Sequence, residues 1–352
     1  MTDQIKPYAA LPLQMHCRAV NRIRIVHEAR ELMATAILRC GELISGSKAF
    51  AQTFSGDTVR LVVLPEYFMT GFPMGESTSE WQEKACISLN GPEYEGLAKV
   101  AQDQGVYLSG NAYELDEHFP ELYFQTSFII SDTGDVVLRY RRLISMFAAT
   151  PHDVLSQYLE MYGSDSLFPV ADTPFGRLAC VASEEILYPE ITRALALRGA
   201  EVICHSSSEV SGPRLTPKNI AKQARAYENM LYVVSANSAG ISGTPVPEAS
   251  TNGHSQVVNY KGHVLAEARP GESMNGYAEI DIAALRRTRA RPAMTNLLAR
   301  QRLELFAATY TGDPVYPADT LLEEGQVKAP SQDHFMTTQR EVIIKLKARG
   351  LI

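Results

Sequence analysis

Apolar runs alternate with amphipathic stretches along most of the chain. TVRLVVLPE (58–66) is dense in β-branched residues and predicts a buried strand. EYEGLAKVAQDQG (93–105) has helical spacing and stops at Gly105, and VYLSGNAYE (106–114) returns to a strand pattern. LYFQTSFIISDTGDVVLRYRRL (122–143) sets two β-rich segments around Asp-Thr-Gly-Asp and predicts a hairpin. GRLACVAS (176–183) is a further buried strand. PEITRALALRG (189–199) is a helix with proline at its start and glycine at its end. AEVICHSSS predicts a strand, PKNIAKQARAYENM (217–230) a helix and LYVVSANSAG a strand. GHSQVVNYKGHVLAEA (253–268) is a second hairpin turned at Lys261-Gly262, and GYAEIDI is a last strand.

Helices alternate with buried strands, but two hairpins interrupt the alternation. A purely parallel sheet does not accommodate them, whereas mixed sheets covered by helices do. Glycines and prolines are spread evenly, without a linker or a repeat, so residues 1–310 read as one α/β domain. Residues 311–352 read as a C-terminal arm. YTGDPVYPADTLLEEGQVKAPSQD is polar and rich in turn residues, and TTQREVIIKLKARGLI predicts a closing helix. Val315, Tyr316, Leu321 and Leu322 in the arm need cover from another surface. The expectation is an arm packed on a partner subunit, in a homodimer or larger homo-oligomer.

Charge narrows the function classes. The formal net charge of −7 disfavours nonspecific binding to nucleic acid, which needs basic surface. No apolar run reaches the roughly 18 residues of a membrane span. MTDQIKPYAALPLQ has no basic segment followed by an apolar one, so no export signal is expected. Cys17, Cys40, Cys86, Cys180 and Cys204 are odd in number and widely spaced, as reduced thiols of a cytoplasmic protein would be. His16-Cys17 and Cys204-His205 are adjacent pairs, which point to opposite faces of a strand, so no metal site is expected.

Three segments carry candidate chemistry. LVVLPEYFMTGFP places Glu66 just after a buried strand, where lost solvation suits a carboxylate to proton transfer; the alternative is a surface loop glutamate. LRYRRLISMF alternates Arg139 and Arg141 on one face with Arg142 on the other. These are solvated edge charges, or one of them turns inward to meet an oxyanion. CVASEEILYPE puts Ser183 at a strand-to-helix turn, a common seat for a nucleophile, yet Ser followed by Glu184 and Glu185 is also a capping pattern. The G-x-S-x-G elbow is absent. Ser206, Ser207 and Ser208 with Lys218 downstream suggest a serine–lysine pair, but the glycine-rich context of such enzymes is missing. No P-loop and no G-x-G-x-x-G occurs, so nucleotide binding has no motif support.

Taken in order, LVVLPEYFMTGFP, LRYRRL, GRLACVASEEILYPEITRALALRGAEVI, ARAYENMLYVVSANSAG and GHSQVVNYKGHVLAEA resemble the nitrilase, or carbon–nitrogen hydrolase, superfamily over about residues 55 to 285. The resemblance implies a four-layer αββα sandwich of two mixed sheets flanked by helices, commonly paired into dimers. It implies attack on an amide, carbamoyl or nitrile carbon by a Cys–Glu–Lys triad, without metal or organic cofactor. Glu66 matches the glutamate position. The lysine position falls on Arg142 and the cysteine position on Ser183, so two of the three residues depart from the pattern. Tyr67, Glu184, Tyr188 and Ser207 are the expected substrate contacts, and the segments 67–81 and 144–165 the expected pocket-lining loops.

The departures matter chemically. A thiol with a pKa near 8.5 is within reach of a tuned carboxylate, whereas a serine hydroxyl is closer to water. Arginine keeps the positive charge but has a larger planar head and no accessible neutral form. A single substitution made to trap a substrate would leave lysine at 142, so two departures point to a divergent site. The expected function is hydrolysis of non-peptide carbon–nitrogen bonds at a weakened site. The alternative is a silent relative that binds a small amide, acid or amine or serves as an assembly subunit.

Overall fold

The computed structural model describes residues 5–210, 212, 214–312, 314–331 and 333–352. β1 (Tyr8–Pro12) and the short β2 (His16–Arg18) precede the long helix α1 (Val26–Phe54). α1 buries Ala29, Met33, Ile37, Cys40, Ile44, Ser47 and Ala51, whose three- and four-residue spacing makes one stripe. β3 (Val59–Val63), α2 (Thr78–Ala85), α3 (Pro92–Gln104) and β4 (Tyr107–Leu115) follow. α3 ends where its sequence predicts, because Gly105 takes φ 57° and returns its N–H to the last turn.

β5 (Tyr123–Ile130) and β6 (Val136–Arg141) form the first hairpin. α4 (Leu155–Tyr162) and β7 (Ala171–Thr173) lead to β8 (Gly176–Ala182) and α5 (Pro189–Leu197). β9 (Val202–Ser207), α6 (Pro217–Asn229), β10 (Tyr232–Asn237) and β11 (Gly240–Ser242) come next. β12 (Gln256–Val258) and β13 (Val264–Glu267) form the second hairpin, and β14 (Ala278–Ile280) is followed by α7 (Ile282–Ala290) and α8 (Glu304–Tyr310). β15 (Leu322–Glu323), β16 (Gln326–Val327) and α9 (His334–Ala348) lie in the C-terminal arm.

Two six-stranded mixed sheets result, in the orders β14-β1-β3-β4-β5-β6 and β13-β12-β10-β9-β8-β7. Each has parallel central pairs and antiparallel outer ones. The first sheet is apolar on both faces, and alternate residues serve different layers. Ala9, Leu11, Val62, Leu108, Phe128 and Ile130 pack toward α1 and α3. Tyr8, Ala10, Leu61, Val63, Tyr107 and Ile129 pack toward the second sheet, against Leu178, Cys180, Val202 and Val233. Helices outside, sheets within: this is the αββα sandwich. Among the described residues, no helix is long and apolar enough to cross a membrane.

Segments expected as loops carry more structure than their composition suggests. In 67–81, Ser77 and Glu80 close a capping box that starts α2. Gly71 takes φ 71°, so a side chain there would be strained and would strike Ala19. In 144–165, a 3-10 turn (Pro151–Val154) runs into α4. α4 is fixed from the sheet, because the Arg141 guanidinium lies 4.7 Å from the Phe124 ring and 4.6 Å from the Tyr162 ring. Arg141 is also paired with Asp116.

The arm is partly tied to its own chain. Asp319 and Leu321 donate backbone N–H groups to the His152 and Asp153 carbonyls. Leu321 is buried with Phe119, Phe124, Val154 and Tyr158, and Leu322 packs beside them. The cover these two leucines need is therefore supplied within the protomer.

Candidate active site

The ends of β3 and β9, one from each sheet, are stitched together where the sandwich opens. Ser206 Oγ donates to the Leu64 carbonyl at 2.8 Å, and Glu66 N–H donates to the Ser207 carbonyl at 3.2 Å. This brings Glu66 indoors, with only 2% of its surface exposed. Its carboxylate accepts from Gln125 Nε2 at 2.7 Å and from Arg142 Nη1 at 3.5 Å. Burial raises the Tyr67 phenol above its ordinary range, and the Glu66 charge adds to the effect. Tyr67 stacks on Tyr113 at 5.5 Å.

Arg142 turns away from Arg139 and Arg141, as strand alternation requires. Its Nε donates to the Ile144 carbonyl at 2.8 Å, Nη1 to Gln125 Oε1 at 2.5 Å, and Nη2 reaches Glu184 Oε1 at 2.5 Å. Burial opposes its charge, but Tyr67, Glu66 and Glu184 hold its pKa above the usual guanidinium value. Most of its N–H groups are thus committed to protein acceptors.

Ser183 follows β8 at φ 47° and Tyr67 follows Glu66 at φ 60°, both in the left-handed region. Such strain in non-glycine residues gathers at functional sites. The Ser183 hydroxyl does not cap the turn that follows. It faces the Lys218 ammonium, which donates to Oγ at 3.0 Å and lies 3.5 Å from Ser207 Oγ. The turn itself is gripped by two other groups. His205 Nε2 lies 2.8 Å from the Ser183 carbonyl, and Nδ1 lies 2.8 Å from Ser235 Oγ. A carbonyl can only accept, so Nε2 carries the proton. Burial, aided by Lys222, holds His205 well below its ordinary pKa, and the ring is neutral.

Glu185 is the second grip. Oε1 accepts from Leu143 N–H at 2.7 Å and Ile144 N–H at 3.1 Å, and Oε2 from Tyr140 Oη at 2.9 Å and Ala182 N–H at 3.3 Å. It joins the end of β6, which carries Arg142, to the end of β8, which carries Ser183. Burial pushes its pKa up to about 7 against the pull of Arg142 and these donors.

Glu66, Arg142 and Ser183 therefore meet in one cluster, linked through Gln125, Glu184, Ser207 and Lys218. Of the expected substrate contacts, Tyr67, Glu184 and Ser207 belong to it. Tyr188 is 40% exposed at its edge, its phenol pushed up by partial burial and then by the Glu184 charge. Sequence reasoning did not connect Lys218 to Ser183. The two are 35 positions apart, and only the parallel pairing of β8 with β9 places the start of α6 over the turn. The triple serine with a downstream lysine was the available signal: Lys218 lies 3.5 Å from Ser207 Oγ as well as 3.0 Å from Ser183 Oγ.

The loops 67–81 and 144–165 do meet around a cavity of about 810 Å³, lined by Pro73, Tyr123, Met146, Phe147 and, from the arm, Phe335. The clustered polar residues are not among those lining it. Among the described residues, no group of three or more His, Cys, Asp or Glu is placed to hold a metal ion.

With this fold and these residues in view, comparison with known proteins is direct. The Carbon-nitrogen hydrolase family matches residues 26–290, and the chain belongs to that family. It is 29% identical over 261 residues to a nitrilase of Pyrococcus abyssi, covering 73% of this chain and 90% of that one. It is 26% identical over 284 residues to a formamidase of Bacillus cereus, covering 78% of each. The crystal structure of a carbon-nitrogen hydrolase from Helicobacter pylori superposes with a TM-score of 0.64 at 20% identity, over 88% of this chain and 99% of that one.

Proposed function

We propose that the protein hydrolyses the carbon–nitrogen bond of a small amide, carbamoyl or nitrile substrate, with Ser183 as the attacking group. The observation that carries this reading is the strained Ser183 turn, whose Oγ meets a cation at 3.0 Å beside the buried Glu66–Arg142 pair. Relatives named formamidase and nitrilase support the substrate class. The test is ammonia release from formamide, short aliphatic amides, carbamoyl compounds and nitriles. Ser183→Ala is expected to lower the rate by about a thousandfold or more, as loss of a nucleophile does. Hydrolysis untouched by that change would sink Ser183 as the attacking group.

One observation favours a non-hydrolytic binder instead. Arg142, the cation at the family's lysine position, is held by Glu66, Gln125, Glu184 and the Ile144 carbonyl and has little left for an oxyanion. Silence on the whole panel, with a panel compound still bound, would make this the better account.

Self-association is the remaining part of the proposal. Leu305 and Phe306 of α8 and Ile344 of α9 are each more than half exposed. Removing residues 311–352 is expected to lower the assembly state in light scattering. An unchanged state would show that the arm holds no second copy.

A further inference from the structure

We propose that Ser183 and Lys218 form a nucleophile–base pair, with Lys218 taking the Ser183 proton, and that Glu66 and Arg142 serve as its frame. The inference rests on the hydrolase reading and replaces the proton acceptor that the family pattern implies.

Geometry makes the choice. Glu66 accepts from Gln125 and Arg142, and no hydrogen bond joins it to Ser183 among the described residues. Arg142 cannot act as a base at all. His205 is nearby, but Nε2 is turned to the Ser183 carbonyl and Nδ1 to Ser235, so neither nitrogen meets the hydroxyl. Lys218 Nζ, at 3.0 Å from Oγ, is within the distance at which a proton is passed directly. Ser207 Oγ at 3.5 Å keeps the nitrogen aimed between two hydroxyls.

Lys218 stands in the first turn of α6. Lys222 follows one turn later, fully buried and held by Asn219 Oδ1 at 2.9 Å and Glu209 at 3.7 Å. Burial, aided by the charge of Lys218, pushes Lys222 down to about 8 against the pull of Glu209. Two lysines thus share one helix end, and the half-buried Lys218 is the one that reaches the Ser183 hydroxyl.

The steps balance without a co-reactant other than water. The Ser183 Oγ–H proton moves to the lone pair of the Lys218 amine as Oγ bonds to the substrate carbonyl carbon and the π pair moves onto oxygen. Collapse re-forms C=O and breaks the C–N bond, and the Lys218 ammonium passes its proton to the departing nitrogen. Water then loses a proton to Lys218 while adding to the acyl carbon. Release of the acid returns that proton to Ser183 Oγ.

The pair can be tested on the full chain without knowing the substrate. An alkyl fluorophosphonate is added, and adduct formation is followed by intact mass over a range of pH. Wild type is expected to gain one adduct, located at Ser183, and Ser183→Ala none. Lys218→Met and Lys218→Arg are both expected to label about a hundredfold more slowly or worse, as loss of a general base does. Lys261→Met, an exposed lysine on the second hairpin, is the control and should stay within about twofold of wild type. Lys218→Arg decides the matter if Lys218→Met does not fold, because it keeps the cation and cannot take a proton. Wild-type labelling by either folded Lys218 variant, or no labelling of wild type, would overturn the pair. The two readings fail separately. Lys218-dependent labelling without turnover of any amide or nitrile leaves the pair standing and removes the hydrolase. Ser183-dependent turnover that survives Lys218→Arg does the reverse.

Discussion

Ser183→Cys is expected to raise kcat/KM for ammonia release by about tenfold or more. The hydroxyl now in place must lose its proton to react, whereas a thiol beside an ammonium becomes a thiolate readily. The Lys218 nitrogen 3.0 Å from Oγ takes the thiol proton and then stands beside the thiolate as that ammonium. The single change should therefore suffice, and the lysine of the family pattern need not be rebuilt at position 142. Adding Arg142→Lys is expected to reverse the gain. It would break contacts to Gln125, Glu184 and the Ile144 carbonyl that only a guanidinium fork makes together. The new thiol can be followed by iodoacetamide alkylation at neutral pH. The background is low, because all five native cysteines are buried. A variant slower than wild type in both assays would show that the turn is shaped for a hydroxyl.

Glu185→Ala is expected to cost about 3–5 kcal/mol of stability, the range for removing one partner from a buried charged network. Glu185 is fully buried, and its loss strands the N–H groups of Leu143, Ile144 and Ala182 and the Tyr140 hydroxyl. Urea unfolding should show a lower midpoint. Survival of the wild-type midpoint would mean that water or a shifted loop satisfies those groups. Glu185→Gln keeps the volume but turns an amide N–H toward at least one of the same donors, so an intermediate loss is expected. The pH dependence has a definite sign. A pKa raised from 4.5 to about 7 means that folded Glu185 keeps a proton the unfolded chain has released. Its favourable contribution is complete below about 4.5 and is lost as pH rises through about 7. The wild-type stability curve should fall across that window relative to Glu185→Gln.

Both predictions turn on contacts between elements far apart in the chain, and that marks how far the sequence reaches. Periodicity located both hairpins, α3, α5, α6 and the central strands, because burial on one or two faces leaves a local pattern in residue order. The pattern around Glu66, Arg142 and Ser183 was equally local, since each stands at the end of an apolar strand. α1 is equally local, with its buried stripe from Ala29 to Ala51 at helical spacing. α4 was harder to see. Only Tyr158 of its eight residues is buried, and it is fixed by Arg141 from a distant strand. The sequence by itself determined the layered α/β class, the two hairpins and the three positions proposed to carry the site. The tertiary structure decided that Ser183 faces Lys218, that Arg142 is tied down between Glu66 and Glu184, and that Leu321 finds cover on its own chain. Those outcomes depend on which strand ends and helix starts are brought within hydrogen-bond distance. That is set by the packing of two sheets, and no local spacing of residues encodes it.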